Sequence, residues 1–458
     1  MSAPGAPSLK GNIGRFQLFA FGFGSIIGSA WCVLVGSWLE SSGPGGALIG
    51  FIAGGIVVAC IGACYAELTA RVPVTGGEFS FVLAVFGRNL AFYVGWFIAL
   101  AWICVTVFEG LAIAWLFERL GTGIKDVVLY NAFGTGVTRN QLIIGCIGAP
   151  LIALVNYTGG QALARFHSLL TYTFIGVALA IVALMLAQGN PANLAPLLPA
   201  HAPVWWQGAA AIFANCAFLL CGFQAISQVV EEKSEHLAFK TLFRILVLAI
   251  AAAAGFYCLV VIGTAITMPW QSLPPHSLAF VEAARLLPFG QVLVPLVLLI
   301  AMLSLVKTWN GVFLMASRTL IALGREGFLP AWMNKGRGRS GVPAPIILAI
   351  FAMNIAGLTL GRGAIGILVD TITISLVLGY AICCIALLVL RRQAAAPAGT
   401  AAPPAVVAVG VAGALVMACM AVIMPPIQAG GFPTVYLIFP AWALIGAVTT
   451  LVLRRAPS

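Results

Sequence analysis

The chain has 458 residues, is 62% hydrophobic and carries charge on only 8% of them. A soluble protein has about a quarter of its residues charged, so a soluble globular fold is excluded and most of the surface must meet lipid. The net charge of +11 is spread as short basic clusters between apolar runs. That distribution argues against a nucleic-acid surface and for loops on one side of a membrane.

In chain order, residues 1–15 form a polar, Pro/Gly-rich tail without the successive regions of a signal peptide, so it is expected to persist as a cytoplasmic tail. A membrane-crossing helix needs roughly 20 apolar residues. Such runs recur near 16–39, 46–68, 91–117, 141–158, 165–187, 208–230, 241–266, 291–321, 344–361, 365–390, 404–424 and 434–453. Twelve crossings put both termini on one side. With the N-terminus in the cytoplasm, seventeen of the 23 Lys and Arg residues fall inside. Five fall outside (Arg119, Lys125, Arg139, Arg285, Arg362), and Lys307 lies in mid-span. This positive-inside bias sets the expected orientation in a bacterial inner membrane. The Pro/Ala stretch Ala394–Pro404 sets the last two spans apart. The expected organisation is a tail (1–15), a ten-helix core (16–390) and a linker with two further helices (391–458), an all-α polytopic membrane fold.

Catalytic chemistry leaves no trace. The eleven cysteines fall inside apolar runs without framework or metal-ligand spacing, and read as small buried hydrophobes. The four histidines are scattered, and no HExxH, GxSxG or phosphate loop stands in a suitable context. Neither an enzyme, nor a metal, nor a cofactor, nor direct ATP drive is expected.

Two spans carry features unlike the rest. Span one has Gly22, Gly24, Ser25, Gly28 and Ser29 near its midpoint, and span six has Asn215 through Phe223 at a similar depth. Each glycine costs a helix about 1 kcal/mol relative to alanine, so a cluster favours local unwinding. Freed backbone groups must line a polar cavity and not lipid. Glycines also let helices pack closely, the reading for Gly50 and Gly54 in span two. Spans one and six, however, run in opposite directions five spans apart, as an inverted five-plus-five repeat requires (16–187 and 208–390). That favours a site over packing.

Four stretches resemble the amino acid–polyamine–organocation permeases, whose fold is the LeuT type. They are Gly24-Ser-Ile-Ile-Gly-Ser-Ala-Trp31, Tyr65-Ala-Glu-Leu-Thr-Ala-Arg-Val-Pro-Val-Thr-Gly-Gly-Glu-Phe79, Gly222-Phe-Gln-Ala-Ile-Ser-Gln-Val-Val-Glu-Glu-Lys233 and Ser317-Arg-Thr-Leu-Ile-Ala-Leu-Gly-Arg-Glu-Gly-Phe-Leu-Pro330. The second is the most specific. The resemblance implies a secondary transporter moving amino acids by alternating access. It places the substrate carboxylate on the amides of Ile27, Gly28, Ser29 and Ala30, and the amino group on carbonyls near Phe218 to Cys221, with Gly222 and Phe223 completing the site. Three departures stand out: Ala30 replaces a usual glycine, Gln224 replaces a frequent glutamate, and span five has no lysine.

Lys307 lies in mid-span in Ser304-Leu-Val-Lys-Thr308. A lysine there costs about 2.5–3.5 kcal/mol on insertion scales and must face the bundle interior. It is expected to supply a tethered positive charge facing the span-one break and to gate or couple transport with Ser304, Thr308 and Gln224. Glu109 in span three is its candidate partner, although it lies farther out. Asp370 is expected at the outer interface. Glu67, Arg71, Glu231, Glu232 and Arg318 are expected in ion pairs at the cytoplasmic ends. Trp31, Phe218, Phe223 and Trp309 are candidate aromatic contacts for a cationic amine. The alternatives are an amine or polyamine permease or exchanger (an ethanolamine-like substrate), and a channel or transporter-like sensor on the same fold. The expected partners are a small-molecule amino acid or amine, the bilayer, and a proton or counter-substrate.

Overall fold

Apolar helices account for nearly all of the computed structural model, which describes residues 15–120, 127–158, 161–199, 205–228, 239–273, 278–335, 343–397, 399–429 and 432–455. Glu231, Glu232 and the tail before residue 15 lie outside the described residues. The first expected span is α1 (Arg15–Ile26), α2 (Ala30–Val33) and the start of α3 (Val35–Arg71). The rest of α3 is span two, separated by a kink at Gly43, whose φ of 64° only glycine adopts readily, followed by Pro44. A short helix, α4 (Glu78–Phe86), precedes α5 (Arg88–Glu118). Next come the strands β1 (Val128–Ala132) and β2 (Thr135–Thr138), then α6 (Arg139–Thr158) and α7 (Gln161–Gln188).

Helices α8 (Trp205–Leu219) and α9 (Gln224–Gln228) make span six, followed by α10 (Phe239–Thr267), α11 (Ala279–Arg285) and α12 (Gly290–Arg325). Then come α13 (Ala344–Leu358), α14 (Ile365–Gln393), α15 (Pro404–Ala429) and α16 (Val435–Arg455). Among the described residues eleven helices are long and apolar enough to cross a membrane. The expected ninth span is the exception: α13 has 15 helical residues, about 22 Å at 1.5 Å each, short of a hydrocarbon core of about 30 Å.

The packing is layered. Spans one, three and six are the most enclosed, while α6, α15 and α16 turn most of their surface outward. Gly50 and Gly54 bring α3 onto α8: a Cβ would fall 2.8 Å from the Ala209 carbonyl oxygen at Gly50, and 2.5 Å from Cys216 Sγ at Gly54. The β-hairpin, an element the apolar-run reading omits, ties the loops at its end of the helix bundle together. Tyr130 Oη donates to the Thr359 carbonyl at 2.6 Å, and the Gly363 amide donates to Thr135 Oγ1 at 2.9 Å. Helix α16 is stapled to α5 by stacked Trp96 and Trp442, each indole donating to the other's backbone carbonyl.

At the end of α3 the fully buried Glu67 accepts from Arg71 at 2.8 Å, from Arg391 of α14 and from the Ala402 amide at 2.8 Å. Arg71 in turn donates to the Ala394 carbonyl at 2.9 Å. One carboxylate thus fastens span two, span ten and the linker before α15. Glu67→Ala leaves two guanidiniums without their acceptor. Hydrogen bonds to charged groups contribute roughly 1.5–3 kcal/mol each, so a clear fall in the detergent-solubilised melting temperature is expected; an unchanged melting curve would show the cluster to be ornamental.

Candidate functional site

Helix α1 stops at Ile26 and helical structure resumes at Ala30. A helix end exposes carbonyls, and inside a membrane no bulk water takes them. Helix α12 supplies the donors from one face, at positions 304, 307 and 308. Ser304 Oγ lies 2.9 Å from the carbonyl oxygens of both Ile27 and Gly28. Thr308 Oγ1 lies 3.2 Å from that of Gly24 and 3.1 Å from that of Ile27. Lys307 Nζ donates to Gly24 at 2.7 Å and to Ile27 at 2.6 Å. The ammonium also sits 5.1 Å from the ring centroid of Phe174 on α7. The negative end of the α1 dipole and a ring face both favour a cation there.

The second interruption is satisfied by neutral groups. Helix α8 ends at Leu219 and α9 begins at Gln224. The Cys221 amide donates to the Phe218 carbonyl at 3.0 Å, which leaves the Ala217 carbonyl to accept from Tyr380 Oη of α14 at 3.1 Å. The Gly222 amide donates to Gln224 Oε1, and Gln224 Nε2 donates to Tyr380 Oη, both at 2.9 Å. Gly222 has φ +105°, and a Cβ there would fall 2.3 Å from the carbonyl oxygen of Ser25. The two interruptions therefore touch, and glycine is what lets them.

Where they meet lies a small cavity of about 10 Å³, room for about one water, so a substrate can occupy it only in a more open arrangement. Gly28, Ser29, Ala30, Glu109, Phe218, Cys221 and Thr308 line it, as do Ser25, Ile26, Val105, Phe108, Leu219, Tyr257 and Val312. Phe108 and Phe218 meet edge to face at 5.3 Å. Ser25 Oγ, Ser29 Oγ and Glu109 Oε2 are buried in its lining, with the Ser29 hydroxyl facing the Glu109 carboxylate. Glu109 is buried beside Gly28, where a Cβ would fall 2.5 Å from Glu109 Oε1.

Several expected residues lie elsewhere. Ile27, Ser304 and Lys307 form the carbonyl-satisfying layer behind the cavity. Gly222, Phe223 and Gln224 lie beneath it, with Phe223 against Tyr65 and Tyr380 at 5.3 and 5.7 Å. Lys307 and Glu109 form no ion pair among the described residues. Trp31 packs into Phe174, Phe256 and Phe280, and Trp309 against Gly110 and Gly148; neither faces the cavity. Asn215 to Leu219 stays helical, with Asn215 Oδ1 accepting from Thr373 at 3.1 Å. Asp370 lines a second cavity with Asn215, Thr373 and Met424. His167, near the start of α7, is buried against the first interruption, its Nε2 2.7 Å from where a Gly24 Cβ would be.

A small, partly polar cavity enclosed by many membrane-length helices, at the meeting point of two interrupted ones, defines a multi-pass membrane transporter. The chain belongs to the amino acid permease family, whose profile matches residues 13–448. It is 24% identical to the branched-chain amino acid permease BcaP of Bacillus subtilis over 99% of this chain and 95% of that protein. It is 26% identical to mouse cationic amino acid transporter 4 over 85% of this chain and 61% of the relative. An aspartate–proton symporter of Bacillus subtilis is likewise 26% identical, over 83% of this chain and 72% of the relative. The family is one of transporters and not enzymes.

Gly222→Ala tests the contact between the interruptions. An unfavourable φ costs about 1–3 kcal/mol, and the methyl must also push Ser25 away. The expected outcome is a protein that still inserts but has a lowered melting temperature and little uptake; wild-type uptake would mean that the contact does not matter.

Proposed function

We propose that this protein is a secondary active transporter that moves amino acids across the cytoplasmic membrane by alternating access between two inverted five-helix repeats. The substrate sits where the broken helices one and six meet. The observation that carries this reading is the cavity there, with the buried oxygens of Ser25, Ser29 and Glu109 in its wall. A zwitterionic substrate offers its carboxylate to the amides from Ile27 to Ala30. Its ammonium goes to Glu109 and to carbonyls of the span-six break, and its side chain to Val105, Phe108, Phe218 and Val312. The largely apolar wall suits an apolar side chain once the site opens to admit it.

Lys307 acts in this reading as a tethered cation. Held by two span-one carbonyls, it takes the position a free cation would need, so transport requires no sodium and a proton or counter-substrate provides the coupling. Lys307→Met is expected to lower pH-gradient-driven uptake into proteoliposomes by roughly 5- to 150-fold, the usual span of a coupling free energy. Unchanged, still proton-driven uptake would refute the role. Concentrative uptake also separates a transporter from a channel, which only equilibrates its solute.

Glu109 favours a second reading, an amine permease. A carboxylate beside Gly28 stands close to where a substrate carboxylate would bind, and an amine lacking that group avoids setting two anions together. A single carboxylate in the cavity suits a monoamine better than a polyamine. Matched pairs decide: leucine against isopentylamine, valine against isobutylamine and serine against ethanolamine, in a thermal-shift assay. Ligand at a hundred times its dissociation constant stabilises by about 2.7 kcal/mol. Shifts with the amino acids and none with the amines support the first reading, and the reverse supports the second.

A further inference from the structure

Beneath the second interruption lies a carboxyl group that the transport site does not use. Glu78 opens α4, the short helix following span two, and is fully buried. Tyr65 Oη of α3 donates to its Oε1 at 3.3 Å, the side chain of Gln224 faces it, and its Oε2 has no partner. No cation pairs with it among the described residues. The titratable groups around it are Tyr65 on α3, Tyr380 and Cys383 on α14, and Cys221 in the interruption. These phenols and thiols are neutral in ordinary buffers, so nothing nearby balances a negative charge on Glu78.

The position of that charge matters because of what Gln224 and Tyr380 do. Together they satisfy two of the backbone groups that the interruption frees, the Gly222 amide and the Ala217 carbonyl. Glu78 rests against both Gln224 and Tyr65, and Tyr65 packs on Phe223 and Tyr380 at 5.3 and 5.8 Å. We propose that Glu78 is a proton-binding site that latches the N-terminal-side path from the central cavity. Neutral Glu78 keeps the Gln224–Tyr380 layer dry and the interruption closed. Loss of its proton to water on that side leaves an uncompensated carboxylate, which draws water in and loosens the layer beneath Cys221. The inference rests on the reading of the interruptions as the transport site, and that side is cytoplasmic on the proposed orientation.

The direction of the pH effect follows from burial. Desolvation pushes the Glu78 carboxyl from 4.5 up to about 7. In a hydrated, open arrangement the group returns towards its ordinary value. Below about 4.5 both arrangements hold the proton and closure is at full strength. Between there and about 7 only the closed form keeps it, so closure weakens by about tenfold per pH unit. Above about 7 the balance changes no further.

Cys221 lines the central cavity and reports the opening without any substrate. The intact protein in nanodiscs is labelled with N-ethylmaleimide at pH 5.5 to 7.5, and mass spectrometry of the Cys221 peptide is normalised to the same peptide labelled in detergent-denatured protein at each pH. Wild type is expected to label about 10- to 30-fold faster at pH 7.5 than at 5.5. Glu78→Gln should stay at the acidic rate throughout, and Glu78→Asp should keep a pH dependence, which controls for folding. The proposal is overturned by a Glu78→Gln profile that follows wild type, by a flat wild-type profile, or by a Cys221 that never labels. Pocket occupancy is read separately: pH-dependent labelling with no effect of Gly222→Ala on uptake would sink the transport-site reading alone. Intact uptake with flat labelling would sink the Glu78 latch alone.

Discussion

The carbonyls released where α1 stops cannot meet bulk water at the middle of a membrane, and the arrangement of the site follows from how they are satisfied. Ser304, Lys307 and Thr308 are spaced i, i+3, i+4, so α12 presents all three from one face. The magnitudes explain why a charge is tolerated there. Burying a lysine costs about 2.5–3.5 kcal/mol on insertion scales, while each hydrogen bond from a charged donor returns roughly 1.5–3 kcal/mol. Lys307 makes two, at 2.7 and 2.6 Å, to oxygens that it shares with the Ser304 and Thr308 hydroxyls. Cation and helix end each remove the other's penalty.

The second interruption meets the same constraint with neutral side chains. Gln224 offers an acceptor to the Gly222 amide and a donor to Tyr380, which passes a donor on to the Ala217 carbonyl. The two interruptions are thus chemically unequal, one fixed by a charge and the other by an amide–phenol pair. A charge-fixed end resists water entry until its ion is neutralised or replaced. An amide–phenol pair exchanges its partners for water at little cost, so it yields more readily. The second interruption is therefore the softer of the two, and it is the one beneath which Glu78 lies.

What was legible in the sequence follows the physics of each signal. Membrane-length apolar runs are long and redundant, so the helices could be placed to within a few residues, with α13 shorter than its apolar run because Leu358 gives way to a tight outer turn. The first interruption was legible because four glycines and serines cluster within residues 24–29. The second was only half legible: Asn215 to Leu219 contains no glycine and stays helical, and the turn falls on Leu220 to Phe223 around Gly222. Lys307 was legible as the one charge in the middle of its span, and the i, i+4 hydroxyls beside it point the same way. Val105, Phe108, Tyr257 and Val312 were not, since an apolar side chain facing a cavity looks the same as one facing lipid in a chain that is 62% hydrophobic. Trp31 and Trp309 illustrate the reverse error, conspicuous residues near the motif that packing claims instead.

The charges on the two sides of the first interruption also bear on what the cavity can hold. Lys307 is already engaged by backbone carbonyls, so it neutralises no anion in the cavity directly; Glu109, beside Gly28, faces the Ser29 hydroxyl in the lining. A bound ammonium completes that carboxylate, whereas a bound carboxylate must share the space with it. A zwitterion satisfies both demands only if its ammonium points at Glu109 and its carboxylate lies along the amides from Gly28 to Ala30, which fixes its orientation. Ala30 adds a methyl to the lining at that end, narrowing the room for the head group. The remaining wall is aromatic and aliphatic, so polarity is confined to one end of the cavity and side-chain selection is left to size.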